Sequence, residues 1–235
     1  MATKQLIQRQ GYKVELIRTK REKTVAIKVD KGMVSMRVPA DLLMDKITDI
    51  LAKKHSWIVK SLASQQAMPQ VNEKQYIVGE RFFYLGNSYP LAIEYGKAKD
   101  VKLSLGQLVV TLPNKRNQSV QVKNALYQWY RVKAEAIITE KVIRFKKIIG
   151  VEPKTLRFKY LKRRWGSCDS NGCLDFNWLI IQAPSYIIDY LVVHELTHLA
   201  YFSHSEHFWN EVRLHISNYT ECEKWLRNNG HTLMI

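Results

Sequence analysis

The 235-residue chain has only three cysteines, Cys168, Cys173 and Cys222. A secreted disulfide framework uses cysteines in even and larger numbers, so three thiols predict a reducing, cytoplasmic location. Long apolar runs are missing as well. The richest stretch, WLIIQAPSYIIDYLVV, is interrupted by Gln182, Pro184 and Asp189, whereas a membrane-spanning helix needs about twenty apolar residues in succession. The opening MATKQLIQRQGYKVELIRTKREK lacks the apolar segment and cleavage site of a secretory signal. The expectation is therefore a chain with no signal peptide and no membrane partner. No internal repeat and no low-complexity linker is visible.

What the chain has is aliphatic side chains and positive charge. With 46% hydrophobic and 25% charged residues it reads as a globular protein, and its formal net charge is +16. Lys and Arg outnumber Asp and Glu by 11 in residues 1–117 and by 5 in residues 118–235. RTKREK, residues 18–23, is the densest basic run. Such an excess concentrates polyanions, which makes nucleic acid a candidate partner. Charge alone does not separate an anion-binding face from a solvated one.

Hydropathy patterning predicts an α+β protein. YKVELIRT and TVAIKVDKGMVSMRVP alternate with period two, and Asp30-Lys31-Gly32 supplies a tight turn, so a hairpin is expected. Residues 42–62 then place Leu42, Leu43, Ile47, Ile50, Leu51, Trp57, Ile58 and Leu62 three and four apart, which predicts an amphipathic helix capped by Asp41. Period two returns in residues 75–113. After Pro113 a long helical pattern runs to Gly150, a suitable C-terminal glycine. Leu156, Phe158 and Tyr160, then Leu174, Phe176 and Trp178 beyond a DSNG turn, predict two antiparallel strands. Pro184 opens a further helix; Ser203 with Glu206, and Thr220 with Glu223, have capping-box spacing for two more. The expected organisation is a β-rich region with one helix over 1–117 and a second domain over 118–235.

Four of the seven histidines fall within fourteen positions, in VVHELTHLAYFSHSEHFW. HELTH sets His194 and His198 four apart on one helix face, the separation two imidazoles need to share a tetrahedral zinc, with Glu195 beside the ion's open side as a base for its water. A third ligand is required. His204, six residues on, is the leading candidate; the metzincin glycine three residues after the second histidine is replaced by Tyr201. His207 and Glu211, further along the next helix, are the alternatives.

Together, RRWGSC, FNWLIIQAP, DYLVVHELTHL and HSEHFW resemble the YgjP-like family of metal-dependent hydrolases, relatives of the SprT and WLM zincins. The likeness extends from RTKREKTVAIKV through WIVK and YLGNSYPLAIE to the terminal KWL. It implies a zincin-like catalytic domain with a small antiparallel sheet, one Zn2+ held by His194, His198 and His204, and Glu195 as general base. It also draws attention to Arg163 and Arg164 as substrate-binding cations, able to stabilise an oxyanion or hold a phosphate. Trp165 and Trp178 read as core, Asn177 as an orienting residue, and Cys168 and Cys173 as hairpin flanks that can face one another without forming a second metal site. The implied reaction is hydrolysis by a zinc-activated water. A peptide is the first substrate class, and a nucleoside triphosphate cleaved at a phosphoanhydride is the alternative. A SprT-like protease acting at nucleic acid is the third reading.

Overall fold

The computed structural model describes residues 4–20, 23–30, 32–67 and 73–234. The chain forms two compact units, Met1–Gln70 and Val71–Ile235. The change of character after Asn117 therefore lies inside the second unit, where the helix that follows packs back on the strand that precedes it.

In the first unit, β1 (Lys4–Arg9), β2 (Tyr12–Thr19), β3 (Ala26–Asp30) and β4 (Met33–Pro39) form a sheet of order β1-β2-β4-β3. The predicted hairpin is β3–β4, with Asp30 opposite Met33; Lys31 of its turn lies outside the described residues. Val14, Leu16, Val34, Met36 and Val38 alternate onto one face and meet Ile47, Leu51 and Ile58 of α1 (Met44–Ala67) in a common core. Burying each such side chain is worth about 1.5–3 kcal/mol. Asp41 does not cap α1, which starts at Met44. The Arg18 guanidinium binds the carbonyls of Ala40 and Leu42 at 2.7 and 2.9 Å and so engages the turn ahead of the helix. Leu43 and Trp57, expected on the apolar face, are exposed.

The second unit opens with β5 (Arg81–Tyr84), β6 (Asn87–Tyr95), β7 (Asp100–Ser104) and β8 (Gln107–Leu112), in the order β5-β6-β8-β7, followed by α2 (Gln118–Ile149). This is the plan of the first unit again. In both, two hairpins are joined through a parallel central pair, β2 with β4 and β6 with β8, and a helix follows. The correspondence reaches the turns: Gly11 and Gly86, and Gly32 and Gly106, close equivalent two-residue hairpins at φ of 87, 83, 75 and 74°. The expectation of no repeat is corrected. Only the turn glycines and the alternation of core residues persist between the copies, which is too little for a sequence match.

Gly150 ends α2 in the left-handed conformation, as expected, its N–H bonded to the Lys146 carbonyl. The third sheet, β9 (Thr155–Lys159), β10 (Gly166–Cys168) and β11 (Cys173–Asn177), has the order β10-β11-β9. β9 and β11, predicted to be antiparallel, are parallel, because the loop 160–165 carries the chain back to place β10 as the antiparallel neighbour of β11. The turn between β10 and β11 is held by the Asp169 carboxylate, which accepts from the N–H groups of Asn171 and Cys173 at 3.0 Å each. Cys168 lies opposite Leu174 rather than Cys173, and the cysteines are free. Trp178 starts a short 3-10 turn instead of ending the strand.

Pro184 precedes α3 (Ser185–Thr197), which carries Ile187, Ile188, Leu191, Val192 and Leu196 into the core and packs on α2. α4 (Glu206–His215) is capped by Ser205, not Ser203, and α5 (Tyr219–Asn229) follows Asn218, with Thr220 inside the helix. Among the described residues no helix is long and apolar enough to cross a membrane.

Candidate metal centre

His194 and Glu195 occupy the last turn of α3, and His198 is its C-terminal cap. Tyr201 N–H still reaches the Thr197 carbonyl, after which the chain turns and brings His204 back over the helix end, one residue ahead of the Ser205 cap of α4. His204 thus approaches from the connecting loop rather than from a second helix.

One ring nitrogen from each of His194, His198 and His204 lies within 4.8 Å of the others. The Nε2 atoms of His194 and His204 are 3.2 Å apart. Two nitrogens on one tetrahedral zinc at 2.0–2.1 Å stand about 3.3 Å apart. The outer nitrogens are engaged from behind. His198 Nδ1 is 3.1 Å from the Tyr201 carbonyl, which only accepts, so Nδ1 carries the proton and Nε2 keeps its lone pair. His194 Nδ1 is 3.4 Å from the Tyr190 hydroxyl.

Burial first, then the neighbouring His198 and His204, pushes the His194 imidazole down to about 3. Burial also lowers His198, opposed by its bond to the Tyr201 carbonyl. Both rings are therefore neutral near pH 7, the form that donates to a cation. Phe208, fully buried, walls the group with ring centroids 5.0, 4.5 and 4.8 Å from those of His194, His198 and His204, and Trp209 stacks on His204.

Glu195 is 4% exposed, and its Oε2 is buried with no hydrogen-bond partner. Burial pushes its carboxyl up to about 8; the Arg164 charge pulls the other way and Asp175 adds to the rise. The carboxylate lies against Gly166 of β10, where a Cβ would fall 2.4 Å from Oε1. Cys168, two residues along that strand, has its thiol raised to about 11, by burial and then by the Glu195 charge. Three clustered imidazoles beside a buried carboxyl whose Oε2 has no partner fit a divalent ion of borderline softness.

His207 and Glu211 stay apart from this group. His207 is exposed and stacks on Tyr201. Glu211 accepts from His215 Nε2 at 2.9 Å. Arg163 and Arg164 are exposed in the loop between β9 and β10, where the Arg164 charge still acts on Glu195. Trp178 is buried as expected and packs edge-on against Tyr127, while Trp165 is half-buried. Sequence reasoning missed Gly166, Phe208, Trp209 and Tyr190. Gly166, Phe208 and Trp209 stood within the RRWGSC and HSEHFW runs without a role, and Tyr190 sits four residues before His194, hence on the same helix face.

No curated protein matches the chain. Among solved structures it is similar to the metallopeptidase zymogen abylysin of Pyrococcus abyssi (21% identity, 42% of this chain and 99% of that one, TM-score 0.38). It is also similar to the metallopeptidase zymogen jannalysin of Methanocaldococcus jannaschii (22%, 41% and 97%, TM-score 0.36). The model of the YgjP-like metallopeptidase domain matches residues 23–229, nearly the whole chain, and the protein belongs to that family.

Proposed function

We propose that this protein is a zinc-dependent peptide hydrolase in which His194, His198 and His204 hold the ion and Glu195 is the general base. The observation that carries the reading is the unpartnered, buried Glu195 carboxyl beside three clustered imidazoles. Zinc so bound would supply Lewis acidity, lowering the pKa of water from near 16 toward about 7 and polarising a carbonyl. Glu195 Oε2 takes the proton of the attacking water and returns it to the departing amide nitrogen. Tyr190 and the Tyr201 carbonyl orient His194 and His198, and Phe208 keeps solvent from one side of the rings. β10 is an outer strand of its sheet, so its free edge beside Glu195 can pair with an extended peptide backbone.

Arg163 and Arg164 are the proposed substrate-binding cations. Their exposure also favours a second reading, hydrolysis of a nucleoside triphosphate whose phosphates they hold. The net charge of +16 supports salt-sensitive affinity for nucleic acid, which a binding titration at increasing salt tests. The decisive experiment incubates zinc-loaded protein, with Glu195→Gln as control, against denatured protein and against nucleoside triphosphates. New peptide termini absent from the control are expected. Pyrophosphate release without new termini transfers the assignment to the second reading.

A further inference from the structure

Arg163 and Arg164 belong to a pocket beside the loop 160–165. It is an open cleft of about 270 Å3 between that loop and the end of α5 with the residues that follow it. Its charged lining is Lys162, Arg163 and Arg164 from the loop, with the His231 ring on the far wall and no acidic side chain. Among the described residues none of these three cations forms an ion pair. Both ring nitrogens of His231 are buried without a hydrogen-bond partner. Buried polar atoms in proteins are almost always paired, so an imidazole held this way points to a ligand oxygen.

The pocket is a built feature. Asn177, 3% exposed on β11, donates from Nδ2 to the Leu161 carbonyl at 2.9 Å and to the Arg164 carbonyl at 3.4 Å, while its Oδ1 accepts from Leu179 N–H at 3.2 Å. The basic loop is thus fastened at both ends to one buried amide. On the opposite wall Trp165 lies against Gly230, where a Cβ would come within 3.1 Å of its Nε1.

Strand direction says which part of a substrate would reach it. β10 starts at Gly166, against Glu195, and runs toward Cys168. A peptide pairing antiparallel to it runs the other way, so the residues after the bond at Glu195 head toward Trp165, Arg164 and the pocket. Each residue advances the chain by about 3.3 Å, so the first or second residue after that bond arrives there.

We propose that this pocket binds a substrate carboxylate on the C-terminal side of the cleaved bond, so that the enzyme acts on peptides ending one or two residues beyond it. The proposal rests on the peptide-hydrolase reading. Arg164 and His231 supply the hydrogen bonds, Arg163 and Lys162 the surrounding positive field, and Asn177 is a positioning residue.

Calorimetric titration of zinc-loaded Glu195→Gln protein, which holds peptides uncut, tests it with three acetylated tripeptides. One ends in alanine with a free carboxylate, one in alanine amide, and one in glutamate amide. The free acid should bind about tenfold or more tighter than the alanine amide, the effect of a charge-assisted hydrogen bond. The ratio should fall to near one when Arg164→Gln or His231→Gln is added. The two substitutions are made separately, each checked for unchanged melting, so that one misfolded variant does not remove the test. Preference for glutamate amide over alanine amide assigns the carboxylate to a side chain. Equal binding of all three peptides overturns the pocket's role. Cleavage by the parent enzyme is scored separately: cutting without acid preference sinks the pocket alone, and acid preference without cutting sinks the peptidase reading alone.

Discussion

Gly166→Ala isolates the geometry of the proposed base. A Cβ at that position falls 2.4 Å from Oε1, 2.6 Å from Cδ and 2.7 Å from Cγ of Glu195, where ordinary contact is 3.4–4 Å. The added methyl therefore displaces the carboxylate by about 1 Å, and a catalytic group misplaced that far costs on the order of 100-fold in rate, or about 2.7 kcal/mol. The side chain cannot evade the clash cheaply. Its Cγ is caught as well as its tip, and α3 is fixed by the buried Leu191, Val192 and Leu196 on either side. Overpacking of this kind also destabilises a protein by about 1–3 kcal/mol. The three atoms nearest the added methyl all belong to Glu195, so zinc should still bind one per chain. The assay is kcat on a cleaved peptide, with zinc content and thermal melting measured on the same preparation. A folded, zinc-loaded Gly166→Ala protein with parental kcat would refute the claim that Glu195 works from its position against β10.

The remaining predictions concern proton affinity and support. In metal-free protein the Glu195 carboxyl is raised from 4.5 to about 8, so the folded state keeps a proton that the unfolded chain releases. Its favourable contribution is complete below pH 4.5 and is lost as pH rises through about 8, by a few kcal/mol. Metal-free Glu195→Gln should therefore gain stability over the parent as pH rises from 4.5 to 8 in urea melts with chelator; a difference independent of pH would count against the buried carboxyl. His194 has the opposite sign: lowered from 6.5 to about 3, it contributes stability above 6.5 that is lost as pH falls toward 3, and His194→Gln should flatten that acid limb. Tyr190→Phe removes the group behind His194 Nδ1 and should weaken zinc binding about 10- to 100-fold in competition with a chromophoric chelator; unchanged affinity would show the 3.4 Å contact to be incidental. Asn177→Ala leaves the carbonyls of Leu161 and Arg164 without their donor and should cost roughly 1–3 kcal/mol in denaturant melts while raising KM. Stability equal to the parent's would deny that this amide fastens the basic loop.

Much of the site was legible because its chemistry is local. His194, Glu195 and His198 are set by the pitch of one helix, and the reversal that returns His204 was readable as a break before a new cap, although the cap is Ser205 rather than Ser203. What escaped depends on contacts between distant segments. Gly166 carries no signal until α3 is laid against β10, and Phe208 reads as any core aromatic until three imidazoles surround it. Strand existence was readable from period two, but strand partners were not. β9 and β11 share an alternation that suits either direction, and the loop 160–165 decides it. The duplicated sheet-and-helix plan was hidden for a related reason: its two copies keep the turn glycines and the buried alternation, and burial accepts Val14 and Leu16 in one copy as readily as Leu91 and Ile93 in the other.

Zinc K-edge X-ray absorption on reconstituted protein reads the ligand set itself. One zinc per chain is expected, with three imidazole nitrogens at about 2.0–2.1 Å and a light-atom fourth neighbour, an imidazole being lost in His204→Ala but not in His207→Ala. Sulfur scattering near 2.3 Å, zinc well below one per chain, or an unchanged spectrum in His204→Ala would contradict it.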